Sequence, residues 1–380
     1  MPGTIGKSET WLRGASVHAV APDAVGETLA HRLGATDGAN LGIVYLTESL
    51  IDHADRVIAA LIETTGIQAW TGAIGYGVIG DGVETLGAPG AAALVGRFPA
   101  DDFRLIRKAG ADPLTPDVQA WARRLGTTVG LVHADPADRG VSDALDQLTK
   151  AAQAFLVGGL STGDPAGSLI GGDGTATAGG LSGVLFAPEV PIVTGLSQGC
   201  SPIGPVHTVT ACQGAVIATI DDRPALEVFK QDAGDLIARD LTRASGYIFA
   251  ALPVRGSDTG DYLVRNIVAA DPASGRLAIA EPVDPGQPIL FTRRDHAAAV
   301  RDLDRMLADV MRRLDGRPAK GAVYLCCVAR GPHLFGPDSD EVRQVQAALG
   351  PDVPVIGFFA NGEIAHTRLY GYTGVLTVFA

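Results

Sequence analysis

Residues 41–77, LGIVYLTESLIDHADRVIAALIETTGIQAWTGAIGYG, carry the pattern that decides the fold. The run Gly42-Ile43-Val44-Tyr45 is short and apolar enough for a buried strand. Ser49 supplies a start signal for a helix over Ile51–Glu63. A second apolar run enters the spacing Gly72-x-x-x-x-Gly77, and Ala91–Phe98 reads as a closing strand. The same order occurs twice more. Gly130-Leu131-Val132-His133 leads through a helix that starts at Ser142 and spans Asp143–Gln153, then through Gly158 to Gly163 and a strand at Gly183–Phe186. Gly321-Ala322-Val323-Tyr324 leads through Ser339–Leu349, with Asp338 and Glu341 at capping-box separation, then through Gly357 to Gly362 and Gly374–Phe379. A fixed glycine spacing beside alike first strands points to one unit present three times.

The expected fold class is α/β, with mixed β-sheets flanked by helices, built from repeated strand-helix-strand-strand units in two domains. The units span 41–98, 129–187 and 321–380. The turn-like break Asp221-Asp222-Arg223-Pro224 sets the boundary, giving domains 1–225 and 226–380. The segment between copies two and three has its own pattern: a helical stretch Leu226–Arg243, turns at Ser257–Asp261 and Asp271–Gly275, and a strand at Ile289–Phe291. A long helix follows from about Asp295 to Leu314, with Val300, Leu303, Leu307, Val310 and Leu314 on one stripe. Met306 and Met311 are expected to fill core gaps.

A chain of 380 residues exceeds what one core usually supports, and 46% hydrophobic with 19% charged residues is a globular profile. The net charge is -12 and no Lys/Arg cluster offers a basic face, which argues against nucleic acid. Apolar runs such as Gly183–Phe186 and Val353–Phe359 break long before they could cross about 30 Å of hydrocarbon, so no membrane span is expected. The start, MPGTIGKSETWLRGA, lacks the features of a secretory signal, and the expected location is cytoplasmic. Four cysteines, two of them adjacent at Cys326 and Cys327, do not form a disulfide framework; reduced thiols are expected.

The glycine loops are the first candidates for a binding site, because open α/β sheets place ligands at strand ends. A nucleotide loop needs Lys then Ser or Thr after its last glycine, yet Gly77 is followed by Val78, Gly163 by Asp164 and Gly362 by Glu363. ATP is thereby disfavoured. The acidic neighbours suit an ammonium on the guest, or a solvated turn. A second cluster runs from Gln198 through Gly199, Cys200 and Ser201 to Pro205, with His207 and Cys212 beyond. Paired zinc spacings are missing there, so no metal site is expected. Cys200 reads as a buried thiol or, given a basic neighbour, as a nucleophile. Arg330-Gly331 is suited to bidentate contact with a carboxylate, or to pairing with Asp338 or Glu341. No G-x-S-x-G, H-E-x-x-H or helix-opening G-x-G-x-x-G occurs, which tilts the reading from catalysis towards binding.

These residues resemble the FIST family, named for F-box and intracellular signal transduction proteins. Gln198-Gly199-Cys200-x-Pro202-Ile203-Gly204-Pro205 and Arg223-Pro224-Ala225-Leu226 look like the end of its N-terminal domain and the junction. Arg265, Arg294-Asp295, Cys327-x-x-Arg330-Gly331, Gly357-Phe358-Phe359-x-Asn361-Gly362-Glu363-Ile364 and Tyr372-Thr373-Gly374-Val375-Leu376 look like its C-terminal domain. Ser201 stands where many relatives place Arg, and Ala329 where Gly is usual.

The resemblance implies an intracellular sensory module for a small ligand such as an amino acid, reporting to a separate signalling protein. The expected pocket lies between the two halves and is lined by Gln198, Gly199, Cys200, Ser201, Arg265, Cys327, Arg330, Gly331, Asn361, Gly362 and Glu363. Some relatives are haem-based nitric oxide sensors, which makes haem on His133, His207, His333 or His366 an alternative. A eukaryotic relative recruits protein substrates to a ubiquitin ligase, so a protein-recognition scaffold is another. A thiol-dependent enzyme using Cys200 or Cys327 is the third.

Overall fold

The structure, a computed structural model, describes residues 10–107, 114–171, 174–234, 241–244, 246–254 and 260–380. The chain forms two compact units. One takes in Met1–Ser197, Leu303–Leu369 and Thr373–Ala380; the other takes in Gln198–Asp302 and Tyr370–Tyr372.

In the first unit β1 (Trp11–His18) and α1 (Val25–Leu33) precede copy one, which is β2 (Leu41–Thr47), α2 (Ala54–Thr65), β3 (Trp70–Gly75), a hairpin of β4 (Gly77–Gly80) and β5 (Val83–Leu86), and β6 (Gly90–Arg97). Copy two follows β7 (Phe103–Arg107) and α3 (Pro116–Leu125). It comprises β8 (Thr128–Ala134), α4 (Val141–Ala152), β9 (Ala154–Leu160), the short strands β10 (Leu169–Ile170) and β11 (Ala176–Thr177), and β12 (Leu181–Phe186). Then β13 (Ile192–Gln198) leads into the second unit.

The second unit holds β14 (Cys200–Pro202), β15 (His207–Gln213), β16 (Val216–Ile220), β17 (Arg223–Pro224), α5 (Ala225–Ala233), β18 (Ile248–Pro253), β19 (Tyr262–Asp271), β20 (Arg276–Ile279) and β21 (Pro288–Arg294). Strands β21, β15, β16, β20, β19 and β18 pair in that order, and β18 pairs back to β21, closing a barrel. Val209, Ile217, Ala250, Leu277 and Phe291 fill it, with Leu226 and Phe229 of α5 packed into the same core. The helix expected over Leu226–Arg243 is observed as α5 and a 3-10 turn at Leu241–Ala244; residues 235–240 lie outside the described residues. So does most of the turn expected at Ser257–Asp261.

Next comes α6 (His296–Leu314), which buries Leu303, Met306, Leu307, Val310 and Leu314. Met306 packs where Gly195 leaves room, but Met311 is 41% exposed and fills no core gap, because it stands off the apolar stripe. Copy three is β22 (Gly321–Cys327), α7 (Asp340–Leu349), β23 (Val355–Ala360), β24 (Glu363–Ala365), β25 (Arg368–Tyr370) and β26 (Thr373–Phe379).

Within each copy the first two strands pair in parallel and the last pairs antiparallel to the first. The hairpin between them leaves. Strand β4 pairs with β23, β24 with β9, and β10 with β3, so copy one completes copy three, copy three completes copy two, and copy two completes copy one. The three sheet orders match strand for strand: β1-β6-β2-β3-β10-β11, β7-β12-β8-β9-β24-β25 and β13-β26-β22-β23-β4-β5. The sheets turn one face to a shared core of Tyr45, Leu94, Leu131, Val184, Leu325 and Phe358, among others. Their other faces take helices, as where Val44 and Leu46 meet Leu29, Val57 and Leu61. First strands buried on both faces explain the continuous apolar runs.

The first glycine of each G-x-x-x-x-G string belongs to a strand rather than to a loop. Gly72, Gly158 and Gly357 sit opposite Val44, Val132 and Tyr324 in the parallel ladders. An added Cβ would lie 1.7, 1.8 and 1.7 Å from the carbonyl oxygens of those residues. This shared close approach sets the true equivalence and corrects the sequence alignment of copy three by one residue: Tyr324 matches Val44, and Leu325 matches Tyr45 and His133. Strand side chains alternate, so the slip decides which face each occupies. Tyr45 and His133 meet inside, the hydroxyl 3.0 Å from Nε2, whereas Tyr324 turns outward to donate to Glu341 on α7 at 2.6 Å.

Gly72→Ala, Gly158→Ala or Gly357→Ala is expected to cost about 3 kcal/mol or more, because main chain must shift. Gly66→Ala, at φ 72° with nothing within 4 Å, should cost only about 1 kcal/mol. Urea unfolding of the four variants checks the contrast.

Candidate functional site

The three chain crossings that follow β3, β9 and β23 meet one another. The backbone N–H of Tyr76 donates to the carbonyl of Phe359, that of Asn361 to Leu160, and that of Thr162 to Ile74, each at 3.0 Å. Donors occupy the fifth position of the glycine string and acceptors the third, so three equivalent bonds close into a ring. The crossings lie at the carboxyl ends of the parallel pairs, the end that binds ligands in open α/β sheets. Gly163 and Gly362 adopt φ of 74° and 133°, which their sharp exits require. Tyr76 and Thr162 are half-buried and Asn361 is exposed; the Thr162 hydroxyl is itself buried, with no hydrogen-bond partner among the described residues. Burial, and then the Glu48 carboxylate, raise the Tyr76 pKa above the ordinary phenol value. Neither Tyr76 nor Thr162 stood out in sequence; only their matched position in the repeat singles them out.

The acidic residues after the glycines make hydrogen bonds within the protein. Asp164 Oδ1 accepts the N–H of Ala166 at 2.8 Å within its own turn. Glu363 is fully buried, and its Oε2 accepts from the Thr373 hydroxyl at 2.6 Å and N–H at 3.2 Å. Its Oε1 has no hydrogen-bond partner among the described residues.

Arg330 and Gly331 lie behind the third crossing. Arg330 is fully buried and gives two hydrogen bonds to Glu341 Oε1, the Nε bond at 2.8 Å, with a further one to Ser197 Oγ at 3.3 Å. Burial opposes its charge, but Glu341 outweighs it and holds the pKa above the ordinary value. Glu341 Oε2 takes the N–H of Gly331 at 3.0 Å. Of the pairings open to Arg330 in sequence, Glu341 is the one formed. The expected Asp338–Glu341 capping box is absent, because this ion pair takes the Glu341 carboxylate into the interior. Ser339, at φ 58°, starts α7 instead, and its hydroxyl accepts the Glu84 N–H at 3.0 Å. Neither Glu84 carboxylate oxygen has a hydrogen-bond partner among the described residues. Burial first, then Glu341 and Asp340, push the Glu84 pKa up to about 8. Burial raises Glu363 to about 8 as well, against the hydrogen bonds from Thr373 and the charge of Arg330.

The remaining expected site residues belong to the second unit. Gln198 N–H donates to Asp302 at 2.6 Å, and Gly199 N–H donates to the Tyr372 carbonyl at 2.8 Å. Cys200 is buried against Phe249 and Val264, and its carbonyl accepts the Tyr262 hydroxyl at 2.6 Å. Ser201 pairs with Arg293 across the β14–β21 ladder. Arg265 is ion-paired to Glu281 and donates to the Val264 carbonyl at 2.9 Å. The described contacts thus gather two sets: Asn361, Gly362, Glu363, Cys327, Arg330 and Gly331 in one unit, and Gln198, Gly199, Cys200, Ser201 and Arg265 in the other.

Among the histidines, His207 has Nδ1 2.6 Å from Asp221 and Nε2 2.9 Å from Asp232, so a metal would have to displace a carboxylate from either nitrogen. Burial lowers its pKa, but the two aspartates prevail and leave it raised. His133 is fully buried and is pushed down to about 3 by burial, so it is neutral. His366 is exposed, with Nδ1 3.4 Å from the Thr367 hydroxyl. All four cysteines are free thiols; Cys200, Cys326 and Cys327 are buried and Cys212 is half-buried. Burial, then Glu341, raises the Cys326 pKa well above the thiol range. Among the described residues no helix is long and apolar enough to cross a membrane, and no group of three or more His, Cys, Asp or Glu side chains could hold a metal ion.

A triplicated α/β unit that exchanges hairpins in a ring, in one chain with a closed β-barrel, defines a two-domain mixed α/β protein. The chain belongs to the FIST family: the FIST N domain matches residues 40–223 and the FIST C domain residues 225–366. FIST domains are generally taken as sensory or signal-transduction domains. The uncharacterized protein Rv0628c of Mycobacterium tuberculosis is 29% identical, covering 94% of this chain and 97% of its own. The uncharacterized protein Mb0898c of Mycobacterium bovis is 32% identical over 198 residues, half of each chain.

Two outcomes follow from burial. The folded protein holds the Glu84 and Glu363 protons to about pH 8, whereas a free carboxyl loses its proton near 4.5. Between those values the folded state binds more protons, so stability falls as pH rises through that window. Urea midpoints should show this fall, and Glu84→Gln should lessen it. Timed iodoacetamide labelling should modify Cys212 well before Cys200 or Cys327.

Proposed function

We propose that this FIST protein senses a small polar ligand of the amino-acid class, held where the three chain crossings meet. The closed ring of Tyr76, Thr162 and Asn361 N–H bonds carries this reading. It fixes three loops with main-chain bonds, so their polar side chains are placed without further ordering, and preorganised groups bind more tightly than mobile ones. Tyr76 offers a ring face and a hydroxyl, and Asn361 both a donor and an acceptor, while the Thr162 hydroxyl is buried without a hydrogen-bond partner among the described residues. Glu48, whose charge reaches Tyr76, suits the ammonium group of such a ligand. Arg330 and Glu363 support the loops from inside rather than touching the ligand, since both are fully buried.

A thermal shift screen against amino acids and related metabolites tests the proposal. A ligand present at a hundred times its Kd stabilises by about 2.7 kcal/mol. Tyr76→Ala and Asn361→Ala should abolish the shift while leaving unliganded melting near wild type, because both side chains reach solvent. A screen with no stabilising member, or variants that keep the full shift, would overturn it.

A further inference from the structure

The barrel unit contains a half-open pocket of about 250 Å3 lined by apolar side chains and exposed main chain. Phe229 of α5, Leu241 and Ala244 of the 3-10 turn, Ile248 at the start of β18 and Ile267 to Ala270 of β19 line it. Three features of this site point the same way. First, none of the described lining residues carries a charge or a polar side chain, so they offer an entering ion nothing in place of its hydration. Second, Val268 is 61% exposed; an apolar wall left open to solvent marks a surface that gains by being covered.

Third, the wall offers main-chain partners. Pairing of β19 with β18 stops at Phe249 opposite Asn266, so beyond it that edge of Ile267–Ala270 meets no strand among the described residues. On the other edge the ladder to β20 shifts register between Ile267 and Ala269, which leaves Val268 as an extra residue. A bulge of this kind and an unpaired edge both present N–H and C=O groups that ladder bonds do not use. The cavity therefore combines an apolar interior with hydrogen-bonding backbone along one side, the usual make-up of a small-molecule site. Its size sets the guest: an apolar cavity of about 150 Å3 accepts benzene, so about 250 Å3 accommodates a two-ring or short branched aliphatic molecule.

We infer that the barrel of this protein has its own binding site for an uncharged aromatic or branched-aliphatic small molecule with one hydrogen-bonding group, bordered by α5, the 3-10 turn and the bulged part of β19. This site stands on different residues from the crossing loops, and its ligand is of a different chemical class.

Indole is a suitable probe, with benzoate and benzylammonium as charged counterparts. In methyl-labelled NMR titrations of the full chain, indole should shift the Ile248, Ile267 and Val268 signals in a saturable manner, and the two ions should not. Ala270→Phe, which puts a ring into the cavity, should weaken indole binding at least tenfold. Should that variant fail to fold, Val268→Ser decides: the residue is largely solvent-exposed, and the loss of its apolar contact should weaken binding severalfold. Tyr76→Ala should leave indole binding unchanged, which separates this site from the one at the crossings. Unshifted methyl signals, equal binding of the ions, or full affinity in a folded Ala270→Phe or Val268→Ser protein would each overturn the inference.

Discussion

No copy of the repeated unit can complete its own sheet. Each sheet ends in a pair of short strands supplied by another copy, and the supply runs in one direction round a ring. An unpaired strand edge in a buried setting leaves N–H and C=O groups without water or partner, which costs free energy comparable to a lost hydrogen bond each. Three units that each need another's hairpin are stable only together, and this mutual dependence forces the crossings to meet. Gly72, Gly158 and Gly357 are part of the same constraint. Only a residue without a side chain lets the second strand pass so near the carbonyls of the first.

That arrangement explains why polar groups lie so deep at the third copy. Its helix α7 brings Glu341 inside, where Tyr324, Arg330 and the N–H of Gly331 all bond to one carboxylate. The exchanged hairpin brings Glu84 beside Gly331: a Cβ on that glycine would stand 3.4 Å from Glu84 Oε2. Residues far apart in sequence thus form one buried electrostatic cluster, in which the Arg330 guanidinium offsets the Glu341 carboxylate. Low local dielectric makes such a cluster specific and intolerant of the loss of a partner. The loops that reach solvent rest upon it.

Much of the fold was legible from pattern. Strand, helix and strand positions in all three copies follow from apolar runs bounded by glycine, and the third strands fall within a residue or two of where they were expected. The short hairpins were not visible, since β10 and β11 have two residues each, too few for any periodicity. The one-residue slip of copy three was hidden for another reason. Gly-aliphatic-aliphatic-aromatic recurs at Gly321 to Tyr324, yet the ladder aligns Gly42 and Gly130 with Ala322, and only pairing reveals it. The candidate site is half legible in sequence: Asn361 and Gly362 lie in the Gly357-Phe358-Phe359-x-Asn361-Gly362 string, whereas Tyr76 and Thr162 sit in no recognised motif.

Local chemistry along the chain was enough to determine the α/β class, the threefold repetition, the glycine spacing and the FIST resemblance, because these depend on neighbours a few residues apart. Tertiary structure alone decided which copy lends its hairpin to which, that Arg330 pairs with Glu341, and that three crossings close into one ring. Those outcomes depend on hydrogen bonds between residues more than eighty positions apart, or on competition among several carboxylates for one cation. Neither has a signature at short range.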